Sequence, residues 1–116
     1  RDKLSKMNAD VMGAKIDPFY GAPVVLVVLA DKSVGTYKYD GSLVMENLML
    51  AANAVGLGSC WIHRAKEEFE SEEGRELLRQ LGISGDYEGI GHCILGYPAG
   101  DIPAEKPRKA NWVYKI

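Results

Sequence analysis

Three short stretches hold the residue types that can do chemistry. Cys60-Trp61-Ile62-His63 and His92-Cys93 together supply two cysteines and two histidines, the ligand set of a structural zinc site. Adjacent residues on a strand point to opposite faces, so His92 and Cys93 do not readily reach one metal ion. Cys60 near His63 also has the makings of a thiol nucleophile and its base. No third residue is evident to orient that base, and a buried cysteine more often behaves as a small hydrophobe. The third stretch is Lys106-Pro107-Arg108. The residue before a proline is extended, and residues two apart on an extended chain share a direction. Arginine grips phosphate through paired hydrogen bonds and lysine acts as a point charge, so together they neutralise most of a phosphate's roughly −2 charge. Taken alone, the triplet reads better as a solvated basic segment.

The element that must position the first stretch precedes it. From Asp40 to Ile62 the chain reads D-G-S-L-V-M-E-N-L-M-L-A-A-N-A-V-G-L-G-S-C-W-I. Leu43, Val44, Met45, Leu48, Met49, Leu50, Ala51, Ala52, Ala54 and Val55 cover nearly every direction of a helix, where a surface helix shows a stripe about 100° wide. Such a helix belongs in a core or an interface. Glu46, Asn47 and Asn53 interrupt it too often for a bilayer span of roughly 20 apolar residues. Asp40 is the expected N-cap and Gly56 the expected residue just past the C-terminus. Gly56-Leu57-Gly58 then permits a close backbone approach, and Trp61-Ile62 returns the chain to the core. The glycine pair is not a dinucleotide fingerprint, because a third glycine is missing and the pair follows a helix instead of opening one.

The rest of the chain reads from its punctuation. Residues 2–14 look helical, Asp17-Pro18 and Gly21-Ala22-Pro23 break the chain, and the β-branched run from Val24 to Ala30 suits a strand buried on both faces. Asp31 to Tyr39 reads as a loop. Ser71 caps a second helix with acids in its first turn, and Gly82 ends it. Lys66 to Glu76 is a mostly acidic run whose plain reading is a solvated helix face, and it is assigned no role. Ile90 to Tyr97 reads as a strand, Ala99 to Lys109 as a proline-bearing loop and Trp112 to Ile116 as a short terminal strand. With 116 residues and no linker or repeat, the chain makes one small domain with a single core. A net charge of −2 gives no basic surface for nucleic acid. There is no leader and no long apolar span to direct it to a membrane, so the cytoplasm is the expected compartment, which two cysteines outside any disulfide scaffold suit.

In order along the chain, these stretches resemble the FMN-dependent nitroreductase family. Ala51-Ala52, Gly56-Leu57-Gly58 and Trp61-Ile62 match its helix running into G-L-G and W-I. Gly21-Ala22-Pro23 followed by V-V-L-V-V-L-A is similar to its A-P turn into a central strand. Gly89 to Pro98, G-I-G-H-C-I-L-G-Y-P, is similar to its late strand, and E-K-P-R-K to its basic phosphate-contacting segment. Each match is common by itself, and it is their order and spacing that carries the signal.

The resemblance implies an α+β fold, a mixed and mainly antiparallel sheet flanked by helices with a buried central helix, over residues 1–116. It implies FMN as cofactor, NADH or NADPH as a diffusible co-substrate, a homodimer, and a small planar electron acceptor such as a nitroaromatic or quinone. The chemistry is then the flavin's, with no catalytic side chain. By position, Trp61, Ile62, His63 and Arg64 lie along the reactive edge of the ring, and Lys106 and Arg108 on its phosphate. Trp61 and Ile62 also read as plain core residues. Two departures stand out. His63 occupies a position where many relatives carry glycine, and the family's basic R-R-S-like and P-S-x-x-N-like stretches do not occur, so the chain corresponds to the later two thirds of a short nitroreductase. The alternatives are a non-catalytic fragment that binds flavin or forms a dimer, and a small Cys/His metal module.

Overall fold

A computed structural model describes residues 1–101 and 103–116. Helix α1 spans Asp2–Met12 and ends where Gly13 turns left-handed at φ 69°. Its inward line is Ser5, Met7, Asn8 and Ala9. The chain then turns at Asp17, whose carboxylate accepts hydrogen bonds from the Phe19 and Gly21 amides and from the Ser5 hydroxyl. Arg1 completes the knot through an ion pair to Asp17.

Strand β1, Val24–Asp31, follows. Helix α2, Tyr37–Ala54, leads through Gly56 at φ 78° into strand β2, Gly58–Ile62. The Leu57 amide bonds back to Ala52 O at 2.9 Å and the Gly56 amide to Asn53 O at 3.1 Å, the paired closure that a left-handed glycine allows. Helices α3, Ala65–Glu70, and α4, Glu72–Gln80, are separated by Ser71. Ser71 Oγ accepts from the Gly74 amide at 3.0 Å, so Ser71 caps α4 as its sequence indicates. Strand β3, Tyr87–Gly96, is the longest of the three.

The sheet order is β1-β3-β2 and both pairings are antiparallel. Helix α2 covers one face, where Val28, Met45 and Cys93 form a buried cluster with Leu48, Met49 and Trp61 around it. The other face packs Phe19, Ile62 and Ile94, and beside them Ala65, Phe69 and Leu78 from α3 and α4. A bulge sits in β3: Val28 pairs with Gly91 and Leu29 with Gly89, leaving Ile90 as the extra residue. Ile90 therefore points toward α2 beside Gly91, and a Cβ on Gly41 of α2 would lie 2.5 Å from Ile90 Cγ1.

Four expectations change. The run from Val24 is not buried on both faces or central, because β1 is an edge strand on which Val24 and Leu26 are exposed. Helix α2 starts at Tyr37, inside the stretch read as a loop. Thr36, not Asp40, stands at its N-cap, and Asp40 sits in the first turn, accepting from Thr36 Oγ1 at 2.7 Å. Residues 112–116 form no strand and remain exposed. A further difference concerns α2 itself. It buries Gly41, Met45 and Ala52 against the sheet, while Leu43, Val44 and Leu50 stay exposed, as does Val55 just past its end.

Candidate functional site

Only His63 and Arg64 connect the end of β2 to the start of α3. A reversal this short requires a left-handed residue, and Arg64 takes it at φ 78°, ψ 4°. For a non-glycine residue that conformation costs about 1–2 kcal/mol. The compensation comes from α1, more than fifty residues away. Asn8 Nδ2 donates to His63 O at 2.8 Å, and Arg64 Nε donates to Asn8 Oδ1 at 2.9 Å. The same Nδ2 donates to Glu68 Oε1. Glu68 Oε2 in turn lies 3.2 Å from His92 Nε2, in ion-pair range though not aligned as a hydrogen bond. Asn8, Glu68 and His92 are each 0% exposed. The His92 ring packs on Phe19 with centroids 5.2 Å apart.

This network fixes the direction of one peptide plane. The 63–64 peptide is trans, so its C=O and N–H point opposite ways. With His63 O bonded inward to Asn8, the Arg64 N–H is turned outward, away from the network. Beside it lies an open depression of about 340 Å³ lined by Lys38, Trp61, His63, Arg64, Lys66, Glu67 and Glu88, among others. Trp61 stacks on His63 with ring centroids 5.8 Å apart. Its indole lies over Gly91, where a Cβ would come within 2.0 Å of Trp61 Nε1. That buried indole N–H has no acceptor among the described residues.

Of the residues singled out in the sequence, Trp61, His63 and Arg64 thus share one rim, and Ile62 sits behind them in the core. Lys106 and Arg108 lie apart, in an exposed segment without helix or strand. Arg108 lines a separate surface depression with Lys109, Asn111, Trp112 and Val113. Cys93 faces α2 while His92 faces Phe19 and Glu68, so β3 sends the two to opposite sides. Burial pushes the Cys93 thiol up, with a smaller push from Cys60. Cys60 is exposed.

Asn8 went unread in the sequence, His92 was weighed there only as a metal ligand, and Glu68, read as part of a solvated acidic face, is in fact fully buried. A signal for Glu68 was there: Ala65, Glu68 and Phe69 are spaced i, i+3, i+4 and share the buried side of α3. The surrounding acids masked it.

The chain thus builds an antiparallel sheet covered by α2 on one face and by α1, α3 and α4 on the other, and solved nitroreductases share this fold. The chain superposes on the crystal structure of a nitroreductase with bound FMN from Bacteroides fragilis with a TM-score of 0.82 at 27% identity, over 98% of this chain and 70% of that one. An FMN-dependent nitroreductase from Clostridium difficile shares the fold with a TM-score of 0.73 at 22% identity, over 99% and 70% of the two chains. Residues 5–97 match the nitroreductase family, and the chain belongs to it. It is 33% identical over 103 residues to an Archaeoglobus fulgidus protein named "Putative NADH dehydrogenase/NAD(P)H nitroreductase". That match covers 84% of this chain and 56% of the relative, so the chain spans little more than half the length of that protein.

Proposed function

We propose that these residues form most of an FMN-dependent NAD(P)H oxidoreductase of the nitroreductase type, acting on nitroaromatics, quinones or similar planar acceptors. The observation that carries the reading is the outward Arg64 N–H at the rim of the depression, fixed by a buried hydrogen-bond network. FMN, when bound, supplies the ring that takes a hydride from a nicotinamide and passes it to the acceptor. The residues present fit such a ring edge. A rigid main-chain donor, cationic side chains at Arg64 and Lys66, and a depression within the usual size range of ligand sites meet at one place. In this reading Trp61 and Ile62 hold the turn in place, and the backbone of His63 and Arg64 serves the polar edge. Lys106 and Arg108 serve the phosphate. The working form is a homodimer joined through the exposed side of α2, and a free, exposed Cys60 suits the reducing cytoplasm.

The test is direct. Purified protein incubated with FMN and desalted should stay yellow, and NADH or NADPH should bleach the colour in the absence of oxygen. A colourless protein sinks the reading. Retained colour that neither nicotinamide bleaches favours a non-catalytic flavin-binding fragment.

A further inference from the structure

We infer that Asn8, Glu68 and His92 are positioning residues whose task is to hold the 63–64 peptide outward for a bound flavin; this rests on the flavin reading above. All three are fully buried. Taking a carboxylate, an imidazole and an amide out of water is unfavourable, and apolar side chains of similar volume often hold elements together as well or better. Joining α1, α3 and β3 therefore does not call for polarity here. What an apolar trio cannot do is orient a backbone carbonyl.

The polar contacts run in one direction. His92 Nε2 faces Glu68 Oε2, Glu68 Oε1 accepts from Asn8 Nδ2, and that same nitrogen donates to His63 O. Asn8 Oδ1 takes the Arg64 Nε, so both sides of the 63–64 peptide are tied to one amide group. Glu68 sets the amide's orientation: its carboxylate accepts from the NH2 end, which leaves the oxygen for Arg64. His92 closes the far end, where its ring is wedged against Phe19. Without the chain of contacts, Arg64 loses what holds it left-handed, and a non-glycine residue relaxes from that region. The peptide plane then rotates and its N–H leaves the rim.

A double replacement separates this role from a purely structural one. Asn8→Leu with Glu68→Met keeps the volume and removes the polar groups. The protein should stay folded, with a melting temperature at or above that of the wild type. Its residue-64 backbone NMR shifts should leave the left-handed range even without flavin. FMN binding should weaken about tenfold, the size of one lost oriented hydrogen bond, and the visible spectrum of the bound flavin should change. Wild-type residue-64 shifts and wild-type FMN affinity in a folded variant overturn the proposal. If the double variant does not fold, Glu68→Gln decides on the same two readouts. Wild-type protein that takes no FMN sinks the flavin reading instead, and the residue-64 shifts then judge the network by themselves.

Discussion

His63 presents its carbonyl, not its ring, to the buried network, and this decides how its substitutions behave. His63→Ala keeps both main-chain groups, so flavin should stay bound and most of the activity remain. Arg64→Pro deletes the rim N–H and fixes φ near −65° where Arg64 holds 78°, so hydride transfer should slow by about 10²–10³-fold, as when one preorganised donor is lost elsewhere. Stopped-flow reduction of bound FMN by NADH measures both, and an inactive alanine variant beside an active proline variant reverses the assignment. Lys106→Ala with Arg108→Ala should leave the fold intact, since both side chains are exposed, yet weaken FMN binding roughly a hundredfold through lost charge-assisted bonds. An unchanged flavin dissociation constant moves the phosphate site elsewhere. At this scale the sequence displayed the rim but not its support. Trp61, His63 and Arg64 are neighbours in the chain, whereas Asn8 and Glu68 meet across a separation of 60 residues that no local pattern records.

Elements whose ends rest on local chemistry were legible: Ser71 before α4, Gly82 after it and Gly56 after α2 all sit where their types place them. The start of α2 was not, because Asp40 resembles a cap and Thr36 does not stand out from the loop before it. Gly74 shows how packing overrides propensity. Alanine normally stabilises a helix by about 1 kcal/mol over glycine. At Gly74 a Cβ would lie 2.1 Å from Glu68 O and 2.7 Å from Phe69 Cα, so α4 could no longer seat against α3. Gly74→Ala should therefore destabilise by about 2 kcal/mol or more, the scale of overpacking a tight contact, in urea melts. A neutral or stabilising effect would show that α4 can shift freely.

The turn before β1 has its own signature in pH. Desolvation pulls the Asp17 carboxyl upward, but bonds from Ser5, Arg1, Gly21 and Phe19 outweigh it and hold the group well below the usual carboxylate range. A lowered folded pKa contributes stability above the unfolded value near 3.9, and that contribution fades as pH falls through the folded value. Asp17→Asn should thus cost about 1 kcal/mol at pH 6 and progressively less below about pH 4. A cost that is flat with pH would mean the charge is irrelevant.

On the scale of the whole molecule the chain does not close on itself. Its radius of gyration is 16.3 Å, against about 13 Å for a compact domain of this length. The excess goes with exposed apolar side chains at two places: Leu43, Val44 and Leu50 on α2 with Val55 just past it, and Trp112, Val113, Tyr114 and Ile116 at the end of the chain. The apolar composition of α2 leads to the expectation of a second cover. Which side it leaves open was not legible there, because that depends on how the sheet lies beneath it. The expected outcome is a stable dimer by sedimentation at low micromolar concentration, with a melting temperature that rises with protein concentration. A folded monomer across that range refutes it.

The strand order also governs how the chain behaves while it is being made. Among the described residues both outer strands pair only with β3, and β3 is the last of the three to leave the ribosome. Strand β1 ends at Asp31 and β3 at Gly96, so at roughly 5–20 residues per second β1 waits several seconds with its edges bare. During that interval V-V-L-V-V-L-A is an unpaired, uncharged, β-branched segment, the kind that nascent-chain chaperones bind and that seeds aggregates when they do not.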